Sequence, residues 1–445
     1  YRDYYIWHDG RMKDGQKVEP TNWGSFFGGS AWNYEPTTDS YYMKIFDDKM
    51  PDLNWANPKV QDEMIEVAEK WLDLGIDGFR IDAVSHLDRA PLEDAKANEG
   101  EKYPLDWNKF SNLPKVHTYL KRLAEEVFLK RQCLTIGEVG GAASIEEGIK
   151  YSAFASKELS MVFNFDHNWC NNLHEVINPK KLKTNVIALK DVFLRWQTAF
   201  KEIGWLPLNW LNHDQPRLMS QYGDYRYPLA SGKMLATALH MMRGTPFIYQ
   251  GEEIGMTNFP FDDVEQFNDV SSIASYRYHL EKDPEDPVTA LKKAALRSRD
   301  NPRTAMQWSK GWYAGFSNVK PIPLVNPNHK QINVEKNLLK KNSLWYHYQQ
   351  LIQLRRNSPY HDVITYGNYE MIDQESDTHY VYLRKDADKT LLVINSFSPK
   401  KTTYDLSRYQ IIQKVISNYH KTTIKQAQLY LKPYESIVFE VKENL

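Results

Sequence analysis

Amphipathic helices alternating with short apolar strands predict an α/β chain built on a parallel sheet. A cluster of β-prone segments after residue 361 predicts a small antiparallel domain behind it. The alternation suits an open doubly wound sheet and a (β/α)8 barrel alike, but no glycine-rich dinucleotide loop follows any strand, which weakens the nucleotide-binding version. A third observation concerns carboxylates. Asp82, Glu138 and Asp214 each fall at or just past the C-terminal end of a strand, and in a barrel those ends converge on the face that carries active sites.

The first fifty residues show no regular period and are rich in Gly, Trp, Tyr and Asp, as in Asn22-Trp23-Gly24-Ser25-Phe26-Phe27-Gly28-Gly29. With no initiator Met and no signal peptide, they read as an irregular excursion from a fold already under way, and an N-terminal portion is expected to lie outside this sequence. After Pro51, Val60, Met64, Val67, Trp71 and Leu74 recur at three- and four-residue steps, predicting a helix with that face inward, stopped at Gly75. The segment 78–84 reads as a buried strand. Val116, Leu120, Leu123 and Val127 predict a second helix, and 133–138 a second strand. A helix at 144–151 precedes a strand at 161–165. Helix 187–203 leads to a strand at 205–211, and helix 232–243 to one at 246–250. A helix over 342–357, with Leu344, Tyr348, Leu351, Ile352 and Leu354, leads into the β-prone runs at 380–384, 391–395 and 436–441. The expected domains are 1–50, an irregular insertion; 51–360, the α/β part; and 361–445, a β-sandwich.

Composition excludes several classes. The 445 residues carry 56 Lys and Arg against 57 Asp and Glu, so no global field favours nucleic acid or an anionic membrane. No apolar run approaches the ~20 residues that span a bilayer. Two cysteines, Cys133 and Cys170, are too few for a disulfide framework and lack metal-site spacing, so a reducing, cytoplasmic setting is expected. Aromatic residues make up 13% of the chain, which suits a sugar-binding cleft as well as a large core.

By themselves the acids suggest acid–base and nucleophilic work on an acetal. Two carboxyls ~5–5.5 Å apart support hydrolysis with retention through a covalent intermediate. Arg80 lies two residues before Asp82, so on a strand both point to one face, and the guanidinium would hold Asp82 ionised. Glu138 must be protonated to donate to a leaving oxygen. His213 and Asp214 offer a donor and an acceptor for sugar hydroxyls. Each of these residues, taken singly, reads equally well as a surface acid or a satisfied core group. His86 reads as a loop or cleft-wall residue, Cys133 as an inert core thiol, and the 205–210 run as core. Gln250, Glu252 and Glu253 read as cleft rim or as a solvated loop.

Gly78-Phe79-Arg80-Ile81-Asp82-Ala83, Ile136-Gly137-Glu138-Val139 and Asn212-His213-Asp214-Gln215-Pro216-Arg217 resemble three signature segments of the α-amylase superfamily, glycoside hydrolase family 13. Met50-Pro51-Asp52-Leu53-Asn54-Trp55 resembles its additional domain-B segment. Arg299-Asp300-Asn301-Pro302-Arg303-Thr304-Ala305-Met306-Gln307-Trp308 resembles a stretch typical of the oligo-1,6-glucosidase and α-glucosidase branch. The resemblance runs over essentially the whole chain. It implies a (β/α)8 TIM barrel with strands four to eight readable here, residues 1–50 as the remainder of domain B after strand three, and a C-terminal β-sandwich. It implies Asp82 as nucleophile, Glu138 as general acid/base and Asp214 as transition-state stabiliser. Arg80 and His213 would line the subsite for the non-reducing glucose, and Arg303 would close it, making the enzyme exo-acting. The usual metal loop would precede Tyr1, so no metal and no other cofactor is expected in this chain.

Three departures bear on specificity and completeness. The family segment with an Asn-His pair after the third strand is absent. Met50 stands where the 1,6-acting branch more often has Gln. Ala83 follows the nucleophile, where Val goes with α-1,6 cleavage and Ala or Thr with α-1,4. The expected activity is therefore release of α-glucose from short α-1,4-linked gluco-oligosaccharides. An isomaltase-like oligo-1,6-glucosidase is the near alternative, trehalose-6-phosphate hydrolases and sucrose isomerases share the motifs, and a catalytically inactive interaction module of the same fold is the remote one. Short α-gluco-oligosaccharides are the expected partners of a monomer that binds neither nucleic acid nor membrane.

Overall fold

The computed structural model describes residues 1–140, 143–173, 176–178, 181–282 and 286–444. The chain forms two compact units, Tyr1–Phe165 with Glu202–Trp205, and Asp166–Lys201 with Leu206–Leu445.

In the first unit, helix α1 (Pro58–Asp73) opens on Asn57, whose side chain accepts from the Lys59 N–H, with Pro58 at the first helical position. It ends at Leu74 before Gly75, at φ 95°. The buried stripe is Val60, Ile65, Ala68 and Leu72, packed against Leu123, Val127 and Phe128. Val67, Trp71 and Leu74, expected to face inward, are exposed. Both sets satisfy helical spacing, and packing against the neighbouring helix selects the stripe one position round.

Strands β1 (Gly78–Ile81), β2 (Leu134–Glu138) and β3 (Met161–Phe163) form a parallel sheet in that order. Gly78 pairs with Leu134, and a Cβ there would lie 1.9 Å from the Leu134 carbonyl oxygen, so that register admits only glycine. Helix α2 (Lys115–Leu123) continues through a wider turn, Ala124–Phe128, and buries Val116, Leu120, Leu123 and Val127 as their spacing predicts. Helix α3 (Ile145–Ser152) is capped by Ser144. The first fifty residues pair Trp32–Glu35 with Ser40–Met43 around Trp23, Trp32, Met43 and Phe110.

The second unit contains helix α4 (Val186–Ala199), and the parallel pair β4 (Pro207–Leu208) and β5 (Thr245–Pro246). Both strands are shorter than the apolar runs that announced them. Helix α5 (Pro228–His240) starts four residues before its predicted position because Pro228 opens it, and Ser231 to His240 are all buried. Helices α6 (Val270–Lys282) and α7 (Pro287–Arg297) carry no sequence expectation. Among the described residues α6 buries only Ser272, and α7 buries Ala290, Ala294 and Leu296, so the apolar period that would reveal them is faint. Helix α8 (Leu344–Asn357) is capped by Ser343.

The C-terminal strands are β6 (Asn368–Ile372), β7 (His379–Lys385), β8 (Thr390–Ser396), β9 (Thr402–Asp405), β10 (Tyr409–Ser417), β11 (Thr423–Lys425), β12 (Gln428–Leu431) and β13 (Ser436–Glu443). They make a five-stranded antiparallel sheet, β6-β7-β8-β13-β10, and a three-stranded one, β9-β12-β11. Val381, Leu383, Leu392, Ile394, Leu429, Leu431 and Phe439 fill one core with residues of both sheets. The other face of β7 meets the α5 segment, where the Tyr382 hydroxyl donates to the Ala238 carbonyl at 2.7 Å. Buried Lys190 of α4 donates to the carbonyls of Asp373 and Ser376 at 2.7 and 2.5 Å, tying the β6–β7 turn to the helix. Among the described residues no helix is long and apolar enough to cross a membrane.

Candidate active site

Arg80, Asp82 and Glu138 come together in the first unit. Arg80 is the third residue of β1, Asp82 directly follows that strand, and Glu138 ends the neighbouring β2. One terminal nitrogen of the Arg80 guanidinium donates to Asp82 and the other to Glu138. A single planar fork thus sets the two carboxylates side by side, as the parallel register requires. Their surroundings differ: the Asp82 side chain is 71% exposed and that of Glu138 17%.

After Asp82 the chain turns sharply. Ala83 adopts a left-handed conformation, φ 45°, ψ 36°, and opens a single 3-10 turn over Val84–His86. Strand β1 therefore stops three residues short of the apolar run 78–84. His86 is half-buried, and its Nδ1 lies 3.0 Å from the Phe110 carbonyl and 2.9 Å from the Ser111 hydroxyl. Burial lowers its pKa to about 4, partly offset by the Phe110 contact. Asp52, from the segment 50–55, accepts from Nη2 of the half-buried Arg89 at 2.5 Å, and Arg89 Nη1 donates to the His86 carbonyl at 2.6 Å. That segment is thereby fixed to the turn beyond Asp82.

His213, Asp214 and Arg303 come together in the second unit. The Asn212 side chain accepts from the Asp214 N–H at 2.8 Å, forming the turn that presents His213 and Asp214. Asp214 Oδ1 accepts from Arg299 Nε and Nη2 at 2.9 and 2.7 Å and from Arg303 Nη2, with His213 Nε2 3.6 Å away. Burial alone would raise the Asp214 pKa. The charge and hydrogen bonds of Arg299, then His213 and Arg303, outweigh burial and hold it below the ordinary carboxylate value. Arg303 Nε also donates to the His213 carbonyl at 3.0 Å.

Three residues in this second cluster had no role assigned from sequence. Arg299 sits in the same motif as Arg303 and makes two bonds to Asp214. Asp269 faces both arginines, 3.2 Å from Arg303 Nη1 and 3.8 Å from Arg299 Nε. Its sequence signal is an Asp two and three residues before Ser271 and Ser272, a helix-start pattern. Arg217 is buried and donates to the carbonyls of Gln250, Asn301 and Pro302 and to the Thr304 hydroxyl, at 2.5, 3.3, 2.9 and 3.3 Å. It splints the segment that carries Arg299 and Arg303.

Glu252 belongs to neither cleft rim nor solvated loop. It is buried and its carboxyl accepts from the Tyr348 hydroxyl, and desolvation raises its pKa to about 8. Among the described residues, no group of three or more His, Cys, Asp or Glu is placed to hold a metal ion.

Two carboxyls sharing one arginine at the ends of parallel strands suit acid–base work on a glycosidic bond. Comparison with known proteins gives the family. The alpha amylase catalytic domain profile matches residues 1–367, and the alpha-amylase SusG C-terminal domain profile matches residues 380–438. An oligo-1,6-glucosidase of Bacillus cereus is 39% identical over an alignment of 446 positions that covers 99% of this chain and 78% of that protein. An alpha-glucosidase of Pediococcus pentosaceus is 37% identical over 448 residues, again 99% and 78%. The crystal structure of a trehalose-6-phosphate hydrolase of Bacillus licheniformis superposes with a TM-score of 0.85 at 38% identity, covering 99% of this chain and 78% of that one. The chain belongs to the α-amylase family, glycoside hydrolase family 13, as an enzyme of α-glucosidase type with the (β/α)8 catalytic fold and a C-terminal antiparallel β domain.

Proposed function

We propose that the protein is a retaining, exo-acting α-glucosidase that releases glucose from the non-reducing end of short α-1,4-linked gluco-oligosaccharides. Ala83 carries the linkage preference. It follows Asp82 directly, and its methyl leaves more room beside the bond to be cut than a branched side chain would.

Asp82 is the nucleophile in this reading, and its exposure leaves the carboxylate hydrated as well as bonded to Arg80. Glu138 is the general acid/base, which first donates a proton to the leaving oxygen. Attack by Asp82 on the anomeric carbon breaks the glycosidic bond as Glu138 protonates the departing oxygen. Glu138, now ionised, then takes a proton from the water that releases glucose from Asp82. Asp214 stabilises the transition state, and His213 and Arg303 bind the terminal glucose.

An oligo-1,6-glucosidase is the second reading, favoured by the name of the Bacillus cereus relative. Initial rates on maltotriose and isomaltotriose separate the two. Faster turnover of maltotriose is expected, and a strong preference for isomaltotriose would overturn the assignment.

A further inference from the structure

We propose that Asp269 is a positioning residue for the hydrolytic step, holding Arg299 and Arg303 in the orientation in which both press on Asp214. The inference rests on the reading of Asp214 as transition-state stabiliser.

Two guanidinium groups converge on Oδ1 of Asp214, and a single carboxylate balances only one of them. Side by side, the two cations repel each other. The Arg303 side chain is 37% exposed, so water competes for it, and an ion pair at that exposure is weak unless geometry fixes it. Asp269 supplies the second negative charge from a buried position, with Oδ2 3.2 Å from Arg303 Nη1 and 3.8 Å from Arg299 Nε.

The carboxylate is itself held. Its Oδ1 accepts from the Ser271 and Ser272 N–H groups at 3.0 and 3.2 Å and from the Ser271 hydroxyl, capping α6, so Oδ2 is left aimed at the arginines. The backbone is anchored as well: Asp300 Oδ2 accepts from the N–H groups of Asn268 and Asp269, both at 3.1 Å. Asp300 lies between Arg299 and Arg303 in sequence. The segment bearing the arginines therefore fixes the Asp269 backbone, while the Asp269 side chain fixes the arginines. A helix cap alone needs only one oxygen, and it explains neither the direction of the second nor the return bond from Asp300.

The test uses Asp269→Asn and Asp269→Ser. Both residues are good helix caps, so both keep α6, while Asn removes the charge and Ser is too short to reach the arginines. Active sites are counted by taking a 2-deoxy-2-fluoro glucosyl donor to completion and measuring the covalent adduct by intact mass. Turnover of p-nitrophenyl α-glucoside is then expressed per labelled site. With the label stoichiometry of the wild type, turnover per site is expected to fall on the order of 100-fold in both variants, the scale of a misplaced reacting group. A purely structural role would lower the labelled fraction and leave turnover per site unchanged. That result, or turnover per site within about two-fold of wild type, would overturn the inference. Asp214→Asn is assayed in parallel. If it keeps wild-type turnover, the role of Asp214 fails and this inference falls with it; if it is inactive while Asp269→Ser is fully active, only this inference falls.

Discussion

Replacing Ala83 by valine joins linkage selectivity to backbone strain at one position. The residue sits at φ 45°, ψ 36°, immediately after Asp82. A left-handed conformation costs an L-residue about 1–2 kcal/mol relative to the right-handed one, a cost alanine already bears. A β-branched side chain is a genuine outlier there, so Ala83→Val should lose a further ~1–2 kcal/mol of stability. The two added methyls also fill space beside the bond to be broken. A change of that size in a pocket shifts discrimination by about 1–3 kcal/mol, or roughly 10–200-fold. The assay is kcat/KM on maltotriose and on isomaltotriose for both proteins, with urea unfolding on the same preparations. The maltotriose-to-isomaltotriose ratio is expected to fall at least about tenfold in the variant. An unchanged ratio beside a lowered unfolding free energy would show that the side chain at position 83 does not set the linkage preference. Ala83 would then be dictated by the turn alone, and the α-1,4 preference would lose its support.

Other substitutions probe the parts around it. Arg217→Met strands the carbonyls of Gln250, Asn301 and Pro302 in a buried site, and should cost about 3–5 kcal/mol in denaturant unfolding; a loss below about 1 kcal/mol would mean the splint is slack. Arg80→Met removes the fork shared by Asp82 and Glu138, and kcat/KM on p-nitrophenyl α-glucoside should fall about 10²–10³-fold, whereas a change under about tenfold would show that the acids do not need it. Glu252 has its pKa raised from 4.5 to about 8, so the unfolded chain ionises there while the folded one stays neutral. The Glu252 contribution to stability should therefore decline as pH rises between those values and level off above about 8, so the wild-type stability should fall relative to that of Glu252→Gln across that window; parallel stability–pH curves for the two proteins would refute the assignment.

The candidate site residues are more legible in the sequence than the contacts that support them. Asp82, Glu138 and Asp214 stand in local motifs after apolar strands, and a motif is a short-range signal. The five parallel strands were visible for the same reason, as apolar runs between amphipathic helices. What stayed hidden depends on contacts between residues far apart in the chain. Asp269 reaches Arg303 across 34 positions, and Arg217 reaches Pro302 across 85. Nothing in local periodicity marks such pairs. Helix α7 escaped notice because its buried face includes Ala290 and Ala294, and alanine contributes little to an apolar period. The inward face of α1 was misjudged because Trp71 and Leu74 outweigh Ala68 in hydrophobicity, whereas packing against Leu123 and Val127 favours the smaller residue.

The two acid clusters solve different electrostatic problems with the same side chain. Around Arg80 one guanidinium is shared by two carboxyls. Under the proposed roles one of the two, Glu138, must arrive protonated. Around Asp214 two guanidiniums face two carboxylates, and the charges cancel without a proton. A residue that stabilises a cationic transition state must stay ionised, and Asp214 is held below the ordinary carboxylate value accordingly. Under the proposed roles, the acid that must stay ionised is the one that two arginines hold. Moving a charge in either cluster, at Arg80 or at Asp269, is expected to disturb the chemistry before it disturbs the fold.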